Sequence, residues 1–382
     1  MELVIKTLHG LEDCLADEIE ELGGQKIKKL RRAVSCEGNL AFVYKANYNL
    51  RTALRILLPI HSFLAKNEQE LYEQIKSHDW STHLEIRQTF AIDNAITRDA
   101  SIANSQFASL KMKDAIVDYF RDKTGKRPSV NKDNPDVLFN LHGFKDQYTI
   151  SIDSSGRTLN QRGYRQEGGH HAPLNEVLAA GLLKISGWDG SKTLIDPMCG
   201  SGTIAIEAAM LGKGIPAQIL RNDFGFMNWS NFNAILWNRV KMESSAKRIR
   251  TRIKIFASDL DNQNIKLVKG SAKKLALGQG FDIYKYDFLK LPPESGKGMI
   301  ISNPPYGERI GGDQMVEFYG QIGDKLKNDF DGWDAWLLSS NFSALRAIRL
   351  KPSKKEILFN GPLECQFCKY EMYAGSEEPE EN

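Results

Sequence analysis

Three observations predict an α/β protein whose second part is a parallel sheet covered on both faces and whose first part is built from smaller α+β units. From Leu174 onward, short apolar runs alternate with segments of helical spacing. Several of those runs end in a carboxylate or a polar turn, the place where open parallel sheets hold their ligands. The 382 residues are 41% hydrophobic and 26% charged, the balance of a soluble globular chain with two or three cores.

In chain order, Leu3 to Thr7 reads as a strand and Leu11 to Leu22 as a helix stopped by Gly23 and Gly24, while Lys26 to Ser35 alternates like a strand. Leu71 to Trp80 and Ser105 to Arg121 have helical spacing, and Thr89 to Ile96 between them is strand-like. Val137 to Leu141 and Tyr148 to Asp153 form a hairpin around His142 to Gln147. Ser154 to Pro173, rich in glycine and arginine and without apolar periodicity, reads as a linker.

After it, helices are predicted at Leu174 to Ile185, Thr203 to Leu211, Asn262 to Ala276 and Gln314 to Phe330. Strands are predicted at Thr193 to Asp196, Ile253 to Asp259, Ile283 to Tyr286, Met299 to Asn303 and Trp336 to Ser339, with a terminal antiparallel pair at Lys355 to Phe359 and Gln366 to Tyr373. Gly212 to Arg252 is long and carries Phe224, Phe226, Trp229, Phe232 and Trp237 among basic residues. These aromatics suit either a stacking platform for bases or a cover for the sheet.

Polar signatures follow the strands. Asp196-Pro197-Met198-Cys199-Gly200-Ser201-Gly202-Thr203 is an acidic turn, a Gly-x-Gly and a helix start. Its glycines let backbone approach a ligand, so a branched side chain at Gly202 is expected to fill that space. It is neither G-x-G-x-x-G nor a P-loop, which weighs against dinucleotide and nucleoside-triphosphate sites. Asp259 ends the next strand, placed to take two ribose hydroxyls, and Asp287 the one after, placed to take an adenine amino group with Phe288 on the ring. Three such stations in order suit a nucleoside-bearing cofactor, although each alone is commonly a helix cap.

The fourth strand runs into Asn303-Pro304-Pro305-Tyr306. Two prolines remove two backbone donors and leave a rigid turn that offers acceptors only. The side-chain oxygen of Asn303 and the carbonyl of Pro304 can hold both hydrogens of a planar amine, and Tyr306 can stack on a base.

Charge and cysteine usage set outer bounds. Formal net charge is +3, and +7 once four glutamates after Ser376 are set aside; basic residues cluster at Lys26 to Arg32, Arg121 to Lys132, Lys247 to Lys254 and Arg346 to Lys355. Such clusters are solvated faces or phosphate contacts. Five scattered cysteines do not form a disulfide framework, and the lone Cys365-x-x-Cys368 lacks the partners of a structural zinc site, so no metal is expected. The N-terminus lacks a basic start and apolar block, and the reading is a cytoplasmic protein without membrane attachment.

The Asp196 to Thr203 and Asn303 to Arg309 motifs resemble the two signatures of class I methyltransferases that modify exocyclic amines. With Arg162-Gly163-Tyr164-Arg165, Ala172 to Glu176 and Asn360 to Cys365, the chain is similar to the bacterial 23S rRNA guanine-N2 methyltransferase family (RlmL-like). The resemblance implies a Rossmann-like methyltransferase domain over 166–376, preceded by a ferredoxin-like domain over 1–62 and a THUMP RNA-binding domain over 63–160. It further implies S-adenosyl-L-methionine as cofactor, held by Asp196, Pro197, Cys199, Gly200, Ser201, Gly202, Thr203, Asp259 and Asp287. Catalysis falls to Asn303, Pro304, Pro305 and Tyr306, and the partner is RNA, above all large-subunit rRNA. One form of the family carries a second methyltransferase fused after the first; with the chain ending at Asn382, that module's activity is expected to be absent. Competing readings are an adenine-N6 or cytosine-N4 methyltransferase, a non-catalytic RNA-binding assembly factor and, least favoured by Asn303 to Tyr306, a Rossmann oxidoreductase.

Overall fold

The computed structural model describes residues 1–166, 173–247, 253–292, 297–305 and 312–373. They fall into two compact units, one formed by Met1–Thr7, Ala16–Gln161 and Arg221–Met242, the other by Leu8–Leu15, Arg162–Leu220 and Glu243 onward.

The N-terminal elements are β1 (Glu2–Lys6), α1 (Glu12–Glu21), β2 (Gln25–Leu30), β3 (Ala33–Glu37), α2 (Leu40–Asn49), β4 (Arg55–Leu64), α3 (Glu68–Ser77), β5 (Thr89–Ile96), α4 (Ser105–Thr124), β6 (Ser129–Val130), β7 (Val137–Phe144) and β8 (Gln147–Asp153). Their strands form one sheet in the order β2-β3-β1-β4-β8-β7-β5-β6. β4 pairs with β1 along one edge and β8 along the other, so the two expected N-terminal domains share a continuous sheet. The strand expected over Lys26 to Ser35 is a hairpin, β2 and β3, turning at Arg32 in the left-handed region. Helix α2 is buried all round, through Phe42, Val43, Tyr44, Ala46, Asn47 and Tyr48, so its sequence shows no one-sided apolar stripe.

The later elements are α5 (Glu176–Ser186), β9 (Thr193–Asp196), α6 (Thr203–Gly212), α7 (Ala234–Ala246), β10 (Ile255–Asp259), α8 (Asn262–Lys274), β11 (Phe281–Lys285), β12 (Gly298–Ser302), α9 (Gly312–Asp329), β13 (Asp334–Ser339), α10 (Phe342–Ala347), β14 (Lys354–Asn360) and β15 (Leu363–Glu371). The sheet order is β11-β10-β9-β12-β13-β15-β14, parallel except for the terminal pair, as the alternation of strands and helices predicts. Asn39, Asn67, Asn104, Asn175 and Asn341 start α2, α3, α4, α5 and α10, each accepting a first-turn N–H. One face of this sheet is closed by Ile195, Phe288, Ile300, Tyr319, Phe330, Trp333 and Leu337. Cys365 and Cys368, both buried, lie three positions apart on β15 and so point to opposite faces, which rules out a shared chelate.

Two expectations are corrected here. The described part of the expected linker is packed: Ser154 and Ser155 are buried on Asn47, at 2.8 Å each, and Arg162 and Tyr164 are fully buried. Arg162 Nε meets Glu207 Oε1 of α6 at 3.4 Å, and the Tyr164 hydroxyl donates to the same oxygen at 3.1 Å. Polar interactions hold this segment, which is why apolar periodicity missed it. Removing one partner of a buried ion pair costs about 3–5 kcal/mol. Arg162→Ala is therefore expected to lower the melting temperature sharply, and Tyr164→Phe, which deletes one hydrogen bond, only by the equivalent of about 1 kcal/mol; thermal denaturation checks both.

Of the aromatic segment, three rings serve neither as a platform nor as a cover for the parallel sheet, while Trp229 and Phe232 stay half-buried. Phe224, Phe226 and Trp237 are buried in the N-terminal unit against α2, with Tyr44 to Phe226 at 4.5 Å and Tyr48 to Trp237 at 5.4 Å between ring centroids. Edge and offset stacking of large rings buries more apolar area than exposure to a base would.

Candidate active site

In the parallel sheet the strand order reverses between β9 and β12, which are adjacent and parallel. A crevice opens beyond the carboxyl ends of strands at such a switch point. β9 ends in Asp196, β10 in Asp259 and β12 in Ser302, followed at once by Asn303. The sequence-predicted residues of three strands thereby gather at one end of the sheet.

Asp196 is fully buried, and the Ser302 hydroxyl donates to its Oδ1 at 3.2 Å. Among the described residues its Oδ2 has no hydrogen-bond partner. Burial pushes the carboxyl up to about 8, against the Ser302 hydrogen bond, and the nearby Asp259 charge adds to the rise. A buried acceptor without a donor is costly, so this oxygen fits a cationic donor brought by a ligand.

The turn from β9 into α6 is shaped from two sides. Gly200, at φ +53°, donates its N–H to Asp259 Oδ2 at 2.8 Å, and no atom of the described residues lies within 4 Å of where its Cβ would be. Gly202, at φ +79°, is different: a Cβ there would lie 2.7 Å from a methyl of Val268 on α8. The expectation that Gly202 guards the ligand space is thus corrected. Gly202 is required by helix packing, and Gly200 is the position with open space in front of it. Pro197 and Thr203 are buried, Ser201 is half-buried, and burial raises the Cys199 thiol well above its usual range, so it is no nucleophile.

Asp259 Oδ1 also accepts from the Asp261 N–H at 2.9 Å and the Asn264 amide at 3.1 Å, which fills that oxygen, while Oδ2, bonded to the Gly200 N–H, ties the ends of β9 and β10 together and keeps a lone pair. Asp287 caps a short 3₁₀ turn, accepting from the Leu289 N–H at 3.0 Å, and Phe288 is buried in the core rather than presented to a ring.

On β12's far end, Asn303 Oδ1 is buried without a partner among the described residues. Pro304 is buried, and the Pro305 carbonyl accepts from the Tyr319 hydroxyl of α9 at 3.3 Å, which also meets Ser339 Oγ at 3.0 Å. The acceptor turn is thus braced from behind. Tyr306 lies outside the described residues, as does Arg309.

Sequence reasoning missed Ser302, Asn264 and the contact of Arg165 with the turn, Nη1 to Ser201 Oγ at 3.4 Å. Ser302 carries no local signal. Arg165 stands in the Arg162 to Arg165 motif, but only the fold brings it to Ser201.

With this topology and these strand ends in place, the match of residues 162–369 to the family described as the RMKL-like methyltransferase domain decides the assignment. The chain belongs to that methyltransferase family. The methyltransferase domain is preceded by a THUMP domain matched over residues 65–153 and an RlmL ferredoxin-like domain matched over residues 2–57, the order the resemblance implied. The Ribosomal RNA large subunit methyltransferase K/L of Shewanella frigidimarina is 38% identical over 373 residues, covering 96% of this chain and 52% of that protein. The chain spans about half the length of the curated relatives it matches. Among solved structures, SMU.472 complexed with SAH superposes with a TM-score of 0.88 at 26% identity, covering 98% of both chains. A possible methylase from Clostridium difficile 630 superposes at 0.86 and 30% identity, covering 100% of this chain and 99% of that one.

Proposed function

We propose that this chain transfers a methyl group from S-adenosyl-L-methionine to the exocyclic N2 amine of a guanine in RNA, with large-subunit ribosomal RNA as substrate. One observation carries this reading: two buried acceptor oxygens without donors among the described residues, Asp196 Oδ2 and Asn303 Oδ1, lie at the carboxyl ends of the adjacent strands β9 and β12. One fits the ammonium of the cofactor, the other a hydrogen of the acceptor amine. SAH in the similar SMU.472 structure and the names of the rRNA methyltransferase relatives support the same assignment.

When bound, the cofactor supplies an electrophilic methyl on a sulfonium. Asp196 and the Gly200 turn would hold its amino-acid end, and Asp259, already fixed by three donors, its ribose. Asn303 Oδ1 takes one amine hydrogen and the rigid turn fixes its direction, which leaves the nitrogen lone pair free to point in line with the methyl. An amine conjugated with its ring is a weak nucleophile, so orientation supplies much of the rate. The base must leave its stack to reach this turn. Five buried cysteines, none in a disulfide, suit a reducing cytoplasmic setting, and among the described residues no helix is long and apolar enough to cross a membrane.

The test is nucleoside mass spectrometry after incubating the protein with cofactor and 23S rRNA. N2-methylguanosine is expected; N6-methyladenosine or N4-methylcytidine would move the assignment to those amines, and no product at all would favour an assembly factor.

Two expected results follow from the site and the surface. Asp196 titrates at about 8 in the folded chain against 3.8 as the ordinary value, so between those pH values the folded state binds the extra proton and ligand-free stability falls as pH rises. An ammonium at Oδ2 favours the carboxylate, so cofactor affinity should climb up to about pH 8. Asp196→Asn should raise the melting temperature of ligand-free protein at pH 8 and abolish binding; scanning fluorimetry and calorimetry across pH read both. On β2, Lys26, Lys28 and Lys29 are exposed. Their joint reversal to glutamate should weaken RNA binding and flatten its salt dependence by about 0.7 to 0.9 in log–log slope for each phosphate they neutralise. An unchanged slope in filter binding would mean these lysines only protect a sheet edge.

A further inference from the structure

The guanidinium of Arg165 is held at three points. Nε donates to the Glu176 carboxylate at the start of α5, Nη2 donates to the Leu174 carbonyl at 2.6 Å, and Nη1 faces Ser201 Oγ at 3.4 Å. Glu176 is buried, so the fork has one orientation imposed on it. Among the described residues, two of its five N–H donors are left over, one of them on Nη1, the atom beside the turn. Ser201 stands between Gly200 and Gly202, next to the open space in front of Gly200. The other charged groups at this turn, Asp196 and Asp259, are carboxylates.

A zwitterionic amino-acid group needs both signs within a few ångströms. Asp196 Oδ2 offers the negative one, and Arg165 Nη1, 3.4 Å from Ser201 Oγ, brings the positive one to the same turn. We propose that Arg165 recognises the α-carboxylate of the cofactor through Nη1, so that the cofactor's amino-acid end is read by an Asp196 and Arg165 pair. This rests on the reading that the domain uses S-adenosylmethionine, and extends it to a residue outside the two signature motifs. Glu176 acts in this scheme as a positioning residue: it fixes the fork so that no side-chain order has to be created on binding.

Isothermal calorimetry on the full chain, with S-adenosylhomocysteine and with its decarboxylated analogue, tests the assignment. Charge-assisted hydrogen bonds set the scale at about 10- to 100-fold. The unmutated protein should prefer the carboxylate-bearing ligand by that factor. Arg165→Gln should lose that preference while binding the decarboxylated analogue as before. Because this variant leaves Glu176 buried without its cation, Arg165→Lys is measured beside it. Lysine keeps a charge near Glu176 but loses the fork, so the preference should shrink with the thermal melt preserved. Equal weakening of both ligands in the variants, or no preference in the unmutated protein, overturns the proposal and leaves Arg165 a structural ion-pair partner. Binding of neither ligand by the unmutated protein would instead overturn the cofactor reading itself.

Discussion

Asn303→Ala is expected to bind S-adenosylhomocysteine with unchanged affinity while turnover falls at least 100-fold. Asn303 Oδ1 is buried and has no partner among the described residues, so in the proposed mechanism its acceptor capacity is kept for the substrate amine. Such a group contributes mainly when the amine must be held in line with the methyl. Loss of one transition-state hydrogen bond of about 2.7–4 kcal/mol corresponds to a 100- to 1000-fold drop. In the proposed site the cofactor would be read by groups at the ends of β9 and β10, none of which hydrogen-bonds Asn303 among the described residues, so binding should not follow turnover. Removing an unpaired buried acceptor should also leave the fold as stable as before, or slightly more so. Single-turnover kinetics with calorimetry separates the two readouts, and unaltered turnover would remove Asn303 from the mechanism.

Gly202→Val is expected to abolish cofactor binding by breaking the turn. The residue sits at φ +79°, where a β-branched side chain is strained by about 1–3 kcal/mol. Its Cβ would lie 2.7 and 2.9 Å from the two methyls of Val268, and such overpacking costs about 1–3 kcal/mol more. The Gly202 N–H to Cys199 carbonyl bond of 2.8 Å and the first bond of α6, from the Ile206 N–H to the Gly202 carbonyl, both depend on this conformation. A melting-temperature loss should therefore accompany the loss of binding. Gly200→Ala makes the contrast. Nothing lies within 4 Å of its new methyl, so stability should change by only about 1–2 kcal/mol while affinity drops if ligand occupies that space. Gly202→Val with full stability but no binding would return the glycine to the ligand-contact role that its motif suggests.

Much of the parallel-sheet half was legible because each signal is local. Thr193–Asp196 is the strand its apolar run predicts, and the carboxylate at its end follows from the chain direction alone. The same holds for Asp259 after β10 and Asn303 after β12, since parallel strands all deliver their following residues to one edge. Where signals were not local, reading failed. α2 is buried on every side and shows no periodicity; β4 carries Pro59 and a register shift before His61, which hides its alternation. Asp287 satisfied the ligand pattern and the capping pattern equally well, and only its bond to the Leu289 N–H shows the cap in use.

The amino-acid sequence by itself determined the order of strands and helices after Leu174, the acidic and acceptor turns that end them, and the family to which those turns belong, because all of these depend on residues within one turn or one strand of each other. Tertiary structure alone decided that Gly202 answers to Val268, that Ser302 leaves Asp196 with one empty oxygen, that the aromatics of 224–237 close on Tyr44 and Tyr48, and that Arg162 and Arg165 are tied to Glu207 and Glu176. Each of these joins residues about 11 to nearly 200 positions apart, and neither propensity nor periodicity carries information over such distances. Packing and the pairing of buried charge set them, and both exist only once the sheets have formed.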